Sequence, residues 1–195
     1  MPTGVAMRDA RRQLFDAAER VLREGGPSAL TSRAVTAEAG CAKGVLHRHF
    51  ADFDDFLAEL VEDRATGVAA RAASLRAAAG TGTVAGNVAD ALDDLFRTVA
   101  VAVVGLVAGR DELRSRLRRR WPTGVPLLTE AVSALAAYLA AERNLGRVAP
   151  TADVEAVSAA LVGAGHLLYA DRTGAPPAAG ALERIVAAVA ASAFR

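Results

Sequence analysis

TSRAVTAEAGCAKGVLHRHF, residues 31–50, reads as two short helices joined by a tight turn. Thr31 or Ser32 offers a hydroxyl that caps the first helix. Ala34, Val35 and Glu38 follow at helical spacing. Ala39, Gly40 and Cys41 make the break, and Gly40 is free to take the left-handed conformation that a helix end needs. Ala42 to His49 start a second helix, anchored by Val45, Leu46 and Phe50. Two short helices around a glycine-containing turn make a helix-turn-helix, a unit whose second helix fits the major groove of DNA. Lys43, His47 and Arg48 project from that second helix. Leu46, His49 and Phe50 lie roughly opposite and are expected to pack inward. Gly44 leaves a gap through which a phosphate can approach the backbone.

The flanks extend the pattern. Leu30-Thr31, Ala39-Gly40, Lys43-Gly44-Val45-Leu46, His49-Phe50 and then Asp54-Asp55-Phe56 keep a characteristic spacing without gaps. On these residues, the segment 8–60 resembles the DNA-binding head of the TetR family of transcriptional regulators. Three positions depart from that family's pattern. His47 stands where a phosphate-clamping tyrosine is usual, Ala42 where a serine or threonine caps the recognition helix, and Phe53 where a lysine opens the next helix. All three changes remove a donor or weaken a cap.

The resemblance implies an all-α fold. A three-helix helix-turn-helix head over residues 1–51 would precede a helical ligand-binding and dimerisation domain over residues 52–195. It implies double-stranded DNA as a partner, with Thr31, Arg33, Thr36, Lys43, His47 and Arg48 on phosphates or base edges, Gly44 close to the backbone and Val45 against a thymine methyl. It further implies a homodimer acting on a palindromic operator, and an unidentified small-molecule effector that releases the DNA. The rival reading is a helical small-molecule-binding or scaffolding protein that has lost specific DNA binding.

Composition agrees with a helical globular protein. Of 195 residues, 52% are hydrophobic and 23% charged, enough for a sizeable core. Aromatics are only 5%, so that core is built from Ala, Val and Leu. The net charge is +1, yet residues 1–50 hold eight cations against five anions. That local excess suits a phosphate-facing surface. Cys41 is the single cysteine, which excludes an internal disulfide and points to a reducing compartment. The first residues lack the apolar run of a signal peptide, and Val99 to Ala108 is too short to span a bilayer. A cytoplasmic protein with no membrane partner is expected.

Along the chain, residues 1–7 read as a loose tail and Arg8 to Glu24 as an amphipathic helix stopped by Gly25-Gly26-Pro27. Arg8, Arg11 and Arg12 at its start are within reach of backbone phosphate. Asp52 to about Ala79 reads as a long helix with acidic residues at its N-terminus. Gly80 to Thr83 is a linker, and Asn87 to Ala108 one helical run. Asp111 to Arg120 reads as a short exposed helix whose arginines form a solvated face, with a nucleic-acid patch as the alternative reading of Arg114, Arg116, Arg118, Arg119 and Arg120. Gly124–Asn144, Thr151–Asp171 and Leu182–Phe194 are the remaining helices, the second opened in capping style by Thr151-Ala152-Asp153-Val154-Glu155. The last two, one with small residues at Ala160, Gly163 and Ala164, suit a four-helix interface with a second copy.

No enzyme signature is present: no P-loop, dinucleotide glycine motif, CxxC or GxSxG. No cofactor is implied. His47 and His49 diverge on their helix, so with Cys41 they make no metal site. For a body ligand, the inward-facing candidates are Phe96, Val99, Val103, Trp121, Leu128, Leu135, Tyr138, His166 and Tyr169.

Overall fold

The computed structural model describes residues 4–98, 100–170, 177–191 and 193–194, with the side chains of residues 4–9 left out. Among the described residues its regular secondary structure is helical, apart from one isolated antiparallel bridge between Val148 and Phe194. The helices are α1 Gly4–Ala29, α2 Ser32–Glu38, α3 Gly44–His49, α4 Phe53–Ala77, α5 Val84–Phe96, α6 Ala100–Gly109, α7 Asp111–Leu117, α8 Leu128–Asn144, α9 Val154–Ala170 and α10 Ala181–Ala190. The chain forms two compact units, Met1–Asp63 with Ala102–Thr123, and Arg64–Val101 with Gly124–Arg195. The chain around α6 and α7 belongs to the same unit as the helix-turn-helix.

In the first unit, α1 supplies Leu14, Ala17, Ala18 and Leu22 to the core, spaced to line one face. An aromatic cluster centres on Phe56. Its ring lies 5.0 Å edge-on from Phe50, 5.6 Å from Phe15 and 5.7 Å stacked on Phe53, centroid to centroid. Four of the chain's six phenylalanines thus meet in one place, and such ring pairs add to plain area burial.

The second unit packs α8 on α9, α9 on α10 and α5 against all three. Phe96 lies against α9 at Gly165, where any side chain would begin 2.7 Å from the ring. Below α8 and α9, a polar network ties the α4–α5 turn to α8. Glu142 is fully buried. It accepts from Tyr138 Oη at 2.7 Å and from the Gly80 N–H at 3.3 Å, and Arg147 stands 3.5 Å away. Asn87 donates to Tyr138 Oη at 2.9 Å and to the Thr81 carbonyl at 3.0 Å. Burial, and then the bond to Glu142, push the Tyr138 phenol up to about 12.

Several boundaries differ from the sequence reading. Helix α1 begins at Gly4, inside the expected tail, and continues to Ala29 through a kink at Gly26 with φ 71°. The expected run Asn87–Ala108 is two helices. Thr98 lies in the break, donating its hydroxyl to the Leu95 carbonyl at 2.5 Å. Helix α8 starts at Leu128 rather than Gly124, because Leu127 has φ 70°, outside the helical region. Within the expected capping stretch it is Asp153 that caps α9, its carboxylate accepting from the Ala156 N–H at 3.0 Å. Helix α10 ends at Ala190, and Phe194 pairs instead with Val148. Val99, the Arg8 side chain and residues 173–176 of the expected loop lie outside the described residues.

Candidate nucleic-acid interface and body cavity

The helix-turn-helix is set by local rules. Thr31, extended at φ −128°, accepts the Ala34 N–H on its hydroxyl at 3.1 Å. Gly40 has φ 63°, a conformation that any side chain would strain. Its N–H and that of Cys41 close the first helix on the Ala37 and Thr36 carbonyls. Leu46 and Phe50 are buried, as their spacing requires.

Helix α1 holds this pair from behind. Gln13 Nε2 donates to the Ala39 carbonyl at 2.9 Å, and Arg20 pairs with Glu38. Arg11 donates to the His49 carbonyl at 3.1 Å, pairs with Glu59 and lies 4.5 Å over the Phe50 ring. Arg11 is therefore a brace of the head rather than a phosphate ligand. Arg12 is exposed.

On the open side, Thr31, Arg33, Lys43, Gly44, His47 and Arg48 are exposed and Val45 is half-buried. Among the described residues, no carboxylate pairs with Arg33, Lys43 or Arg48. These three cations, on a helix pair whose one acid, Glu38, is paired with Arg20, make a surface suited to phosphate. Thr36 does not belong to it. It is 3% exposed, and its hydroxyl donates to the Ser32 and Arg33 carbonyls at 2.9 and 3.2 Å. A threonine hydroxyl satisfied one turn back on its own helix has no need of an outside partner.

The second unit holds a cavity of about 400 Å³ between α4, α5 and α8. Val68, Leu92, Leu95 and Leu135 supply buried apolar walls, and Arg71, Asp90 and Asp94 are exposed at its edge. Apolar walls with few polar groups are the usual design of a small-molecule site. Of the candidates read from sequence, only Leu135 lines it. Phe96 is core, 5.7 Å from the Tyr169 ring and 6.0 Å from that of His166. Val103 and Trp121 are buried in the first unit. Tyr138 belongs to the Glu142 network and touches the cavity only through Asn87. Leu128 is half-buried and does not line the cavity. Tyr169 donates to Asp93 and lines a separate, smaller hollow with Asp93 and Arg97.

His166 is a half-buried histidine whose Nδ1 has no hydrogen-bond partner. Burial lowers its pKa from the usual ~6.5. The unfolded chain therefore binds the proton more readily than the folded one. Stability is fully present above the unfolded value and falls as pH drops through it. Thermal melts at pH 7.5 and 5.5 are expected to show a larger loss for the wild type than for His166→Gln. Equal losses would refute the assignment.

Residues 14–60 match the sequence model of bacterial regulatory proteins of the tetR family. The helix-turn-helix segment is therefore similar to the DNA-binding head of that family. No curated protein sequence matches the chain. Solved structures extend the likeness in fold. A TetR-family transcriptional regulator structure from Mesorhizobium loti superposes with TM-score 0.73 at 17% identity, covering 97% of this chain and 98% of that one. SmeT, the repressor of the Stenotrophomonas maltophilia multidrug efflux pump SmeDEF, gives 0.61 at 17%, covering 95% and 90%. The Bacillus subtilis regulator FadR, solved with stearoyl-CoA, gives 0.67 at 17%, covering 93% and 98%. Among the described residues no helix is long and apolar enough to cross a membrane.

The departures from the TetR-family pattern have structural readings. Helix α3 begins at Gly44, two residues later than the sequence reading, with Lys43 rather than Ala42 as N-cap and no side-chain cap. Phe53 is used inwardly, stacked on Phe56 with the Arg110 guanidinium 5.7 Å over its ring. His47 is exposed where the TetR-family tyrosine would stand.

Proposed function

We propose that this protein is a sequence-specific DNA-binding repressor that acts as a homodimer on a palindromic operator and is released by a small molecule. The observation that carries the reading is the exposed basic set Arg33, Lys43, His47 and Arg48 on the TetR-family helix pair. Two such heads would enter successive major grooves about 34–36 Å apart. The functional division proposed is a DNA-binding head, residues 1–51, followed by a ligand-binding and dimerisation body, residues 52–195.

The homodimer rests on α9 and α10. Ala156, Ala160, Gly163, Leu167 and Ala170 form an exposed stripe on α9, with Leu167 70% exposed. Ala187, Ala188 and Ala191 are exposed on and after α10. Small residues permit close helix approach, and an apolar stripe of this kind suits a second copy. The effector would occupy the 400 Å³ cavity. It would release DNA by favouring a conformer whose paired heads are wrongly spaced, which requires higher affinity for that conformer. FadR was solved with stearoyl-CoA and SmeT is a repressor of an efflux pump, which supports a ligand-responsive repressor without naming the ligand.

The test is a gel-shift titration with the DNA around the protein's own coding region, with nonspecific competitor, followed by selection from a random-sequence pool. A competitor-resistant complex is expected. Failure in both would favour the alternative, a helical ligand-binding protein without specific DNA binding, to which the uncapped α3 and inward Phe53 would then belong. On the selected operator, Lys43→Ala is expected to cost about 1–2 kcal/mol, a five- to thirtyfold rise in Kd, with the thermal melt unchanged. An unchanged Kd would remove Lys43 from the interface.

A further inference from the structure

Six arginines lie between residues 110 and 120. The fold divides them into two groups. Arg110 reaches Asp54 at 2.9 Å. Arg114 pairs with Asp111 and donates to the Ala108 carbonyl. Arg116 grips Asp52 with two parallel bonds, at 2.9 and 2.8 Å, and lies 3.5 Å from Glu112. Arg116, with the backbone N–H of Asp55, holds the Asp52 carboxyl below the usual carboxylate range. These three are structural: Arg110 and Arg116 fasten α7 to the start of α4, and Arg114 ties α7 to the end of α6.

Arg118, Arg119 and Arg120 follow the end of α7, and all three are exposed. Among the described residues none of them has a carboxylate partner; Arg120 lies 5.2 Å over the Trp121 ring. Arg119 also borders an open hollow with Ser115 and Arg116. Their position follows from the Arg116 bridge. Asp52 comes two residues after Phe50, the C-cap of α3. Arg118 to Arg120 stem from backbone at most about 13 Å along the chain from Arg116. The residues around α7 belong to the same compact unit as α2 and α3. These three guanidinium groups, without a carboxylate partner among the described residues, form a cationic surface after the end of α7, whose Arg116 is bonded to Asp52, two residues after the C-cap of α3. Arg presents a rigid fork of donors that matches phosphate oxygens. This is also the region where the TetR-family lysine is replaced by the inward-facing Phe53.

We propose that Arg118, Arg119 and Arg120 form a second phosphate-binding surface, which grips the backbone of duplex DNA flanking the helix-turn-helix. The proposal rests on the DNA-binding reading above. It assigns these residues affinity without sequence preference, since groups that bind phosphate position a protein and carry no base information.

The experiment measures binding of the full chain to a labelled 30-base-pair random-sequence duplex by fluorescence anisotropy across a potassium chloride series. Each phosphate that is neutralised releases counterions, so the slope of log K against log salt changes by about 0.9 for every phosphate the protein no longer binds. The triple variant R118Q/R119Q/R120Q is expected to shallow the slope by about 2 or more and to weaken low-salt binding at least about tenfold. The charge-conserving variant R118K/R119K/R120K is expected to recover most of the slope. Circular dichroism melts should be unchanged in both, since no acid in the described fold depends on these groups. A Gln variant with the wild-type slope would overturn the proposal, as would a Lys variant that fails to recover it. Failure of the wild type to bind any duplex would instead overturn the DNA reading and this proposal together, which distinguishes the two cases.

Discussion

Phe56→Ala is expected to lower the unfolding free energy by about 3–5 kcal/mol and to abolish DNA binding at physiological temperature. Phe56 has no exposed surface and is the ring that Phe15, Phe50 and Phe53 all meet. Truncation forfeits the transfer free energy of the ring and leaves a cavity that three neighbouring rings cannot all collapse into. A domain of this size has about 5–15 kcal/mol in total, so the loss is a large fraction. Phe50 is the C-cap of α3, so a gap behind it loosens the recognition helix itself. Urea unfolding followed by circular dichroism, with a parallel gel shift, measures both effects. Phe56→Leu, which retains much of the volume, should recover more than half of the stability. A loss below about 1 kcal/mol for the alanine variant would show that the cluster does not carry the head.

Glu142→Ala is expected to cost about 2–4 kcal/mol. The side chain is fully buried and accepts from the Tyr138 hydroxyl and the Gly80 N–H. Its removal leaves both donors without their acceptor, at about 1–3 kcal/mol for each buried group. Arg147 adds less, because it is part-exposed and keeps the Gly82 carbonyl at 2.6 Å. Glu142→Gln should cost about half as much, since the amide still offers an oxygen to Tyr138. Because Asn87 bonds Tyr138 and lines the cavity, the alanine variant should also weaken any effector identified later. Thermal and urea unfolding of the two variants decide the matter. Indistinguishable melts for wild type and Glu142→Ala would mean that the network is idle.

What the sequence discloses, it discloses locally. Thr31 as cap, Gly40 at positive φ, and Leu46 and Phe50 inside all follow from residues within one turn of each other. The burial of Thr36 is hidden, because its side chain is polar and its partners are its own helix's carbonyls. The break near Thr98 is hidden because no Gly or Pro marks it. The pairing of Arg110 with Asp54 and of Arg116 with Asp52 spans 56 and 64 residues, beyond any periodicity argument. The cavity escapes the sequence for the same reason. Its walls come from α4, α5 and α8, and the large aromatic residues point to the core instead. The acidic start of α4 is legible, and its capping is reciprocal: Asp52 accepts from the Asp55 N–H at 2.8 Å and Asp55 from the Ala51 N–H at 3.0 Å.

Lys43 is the one lysine among these 195 residues, and it stands exposed at the N-cap of α3. The chain thus carries a single ε-amine, placed where DNA bound in the proposed way would cover it. An amine-selective label that spares guanidinium groups becomes a site-specific footprint without any engineering. Occupancy of the groove can be read as protection of one internal peptide, without knowing the operator. The same arginine-for-lysine usage leaves the other cationic side chains silent to that reagent, so the signal has little background to compete with.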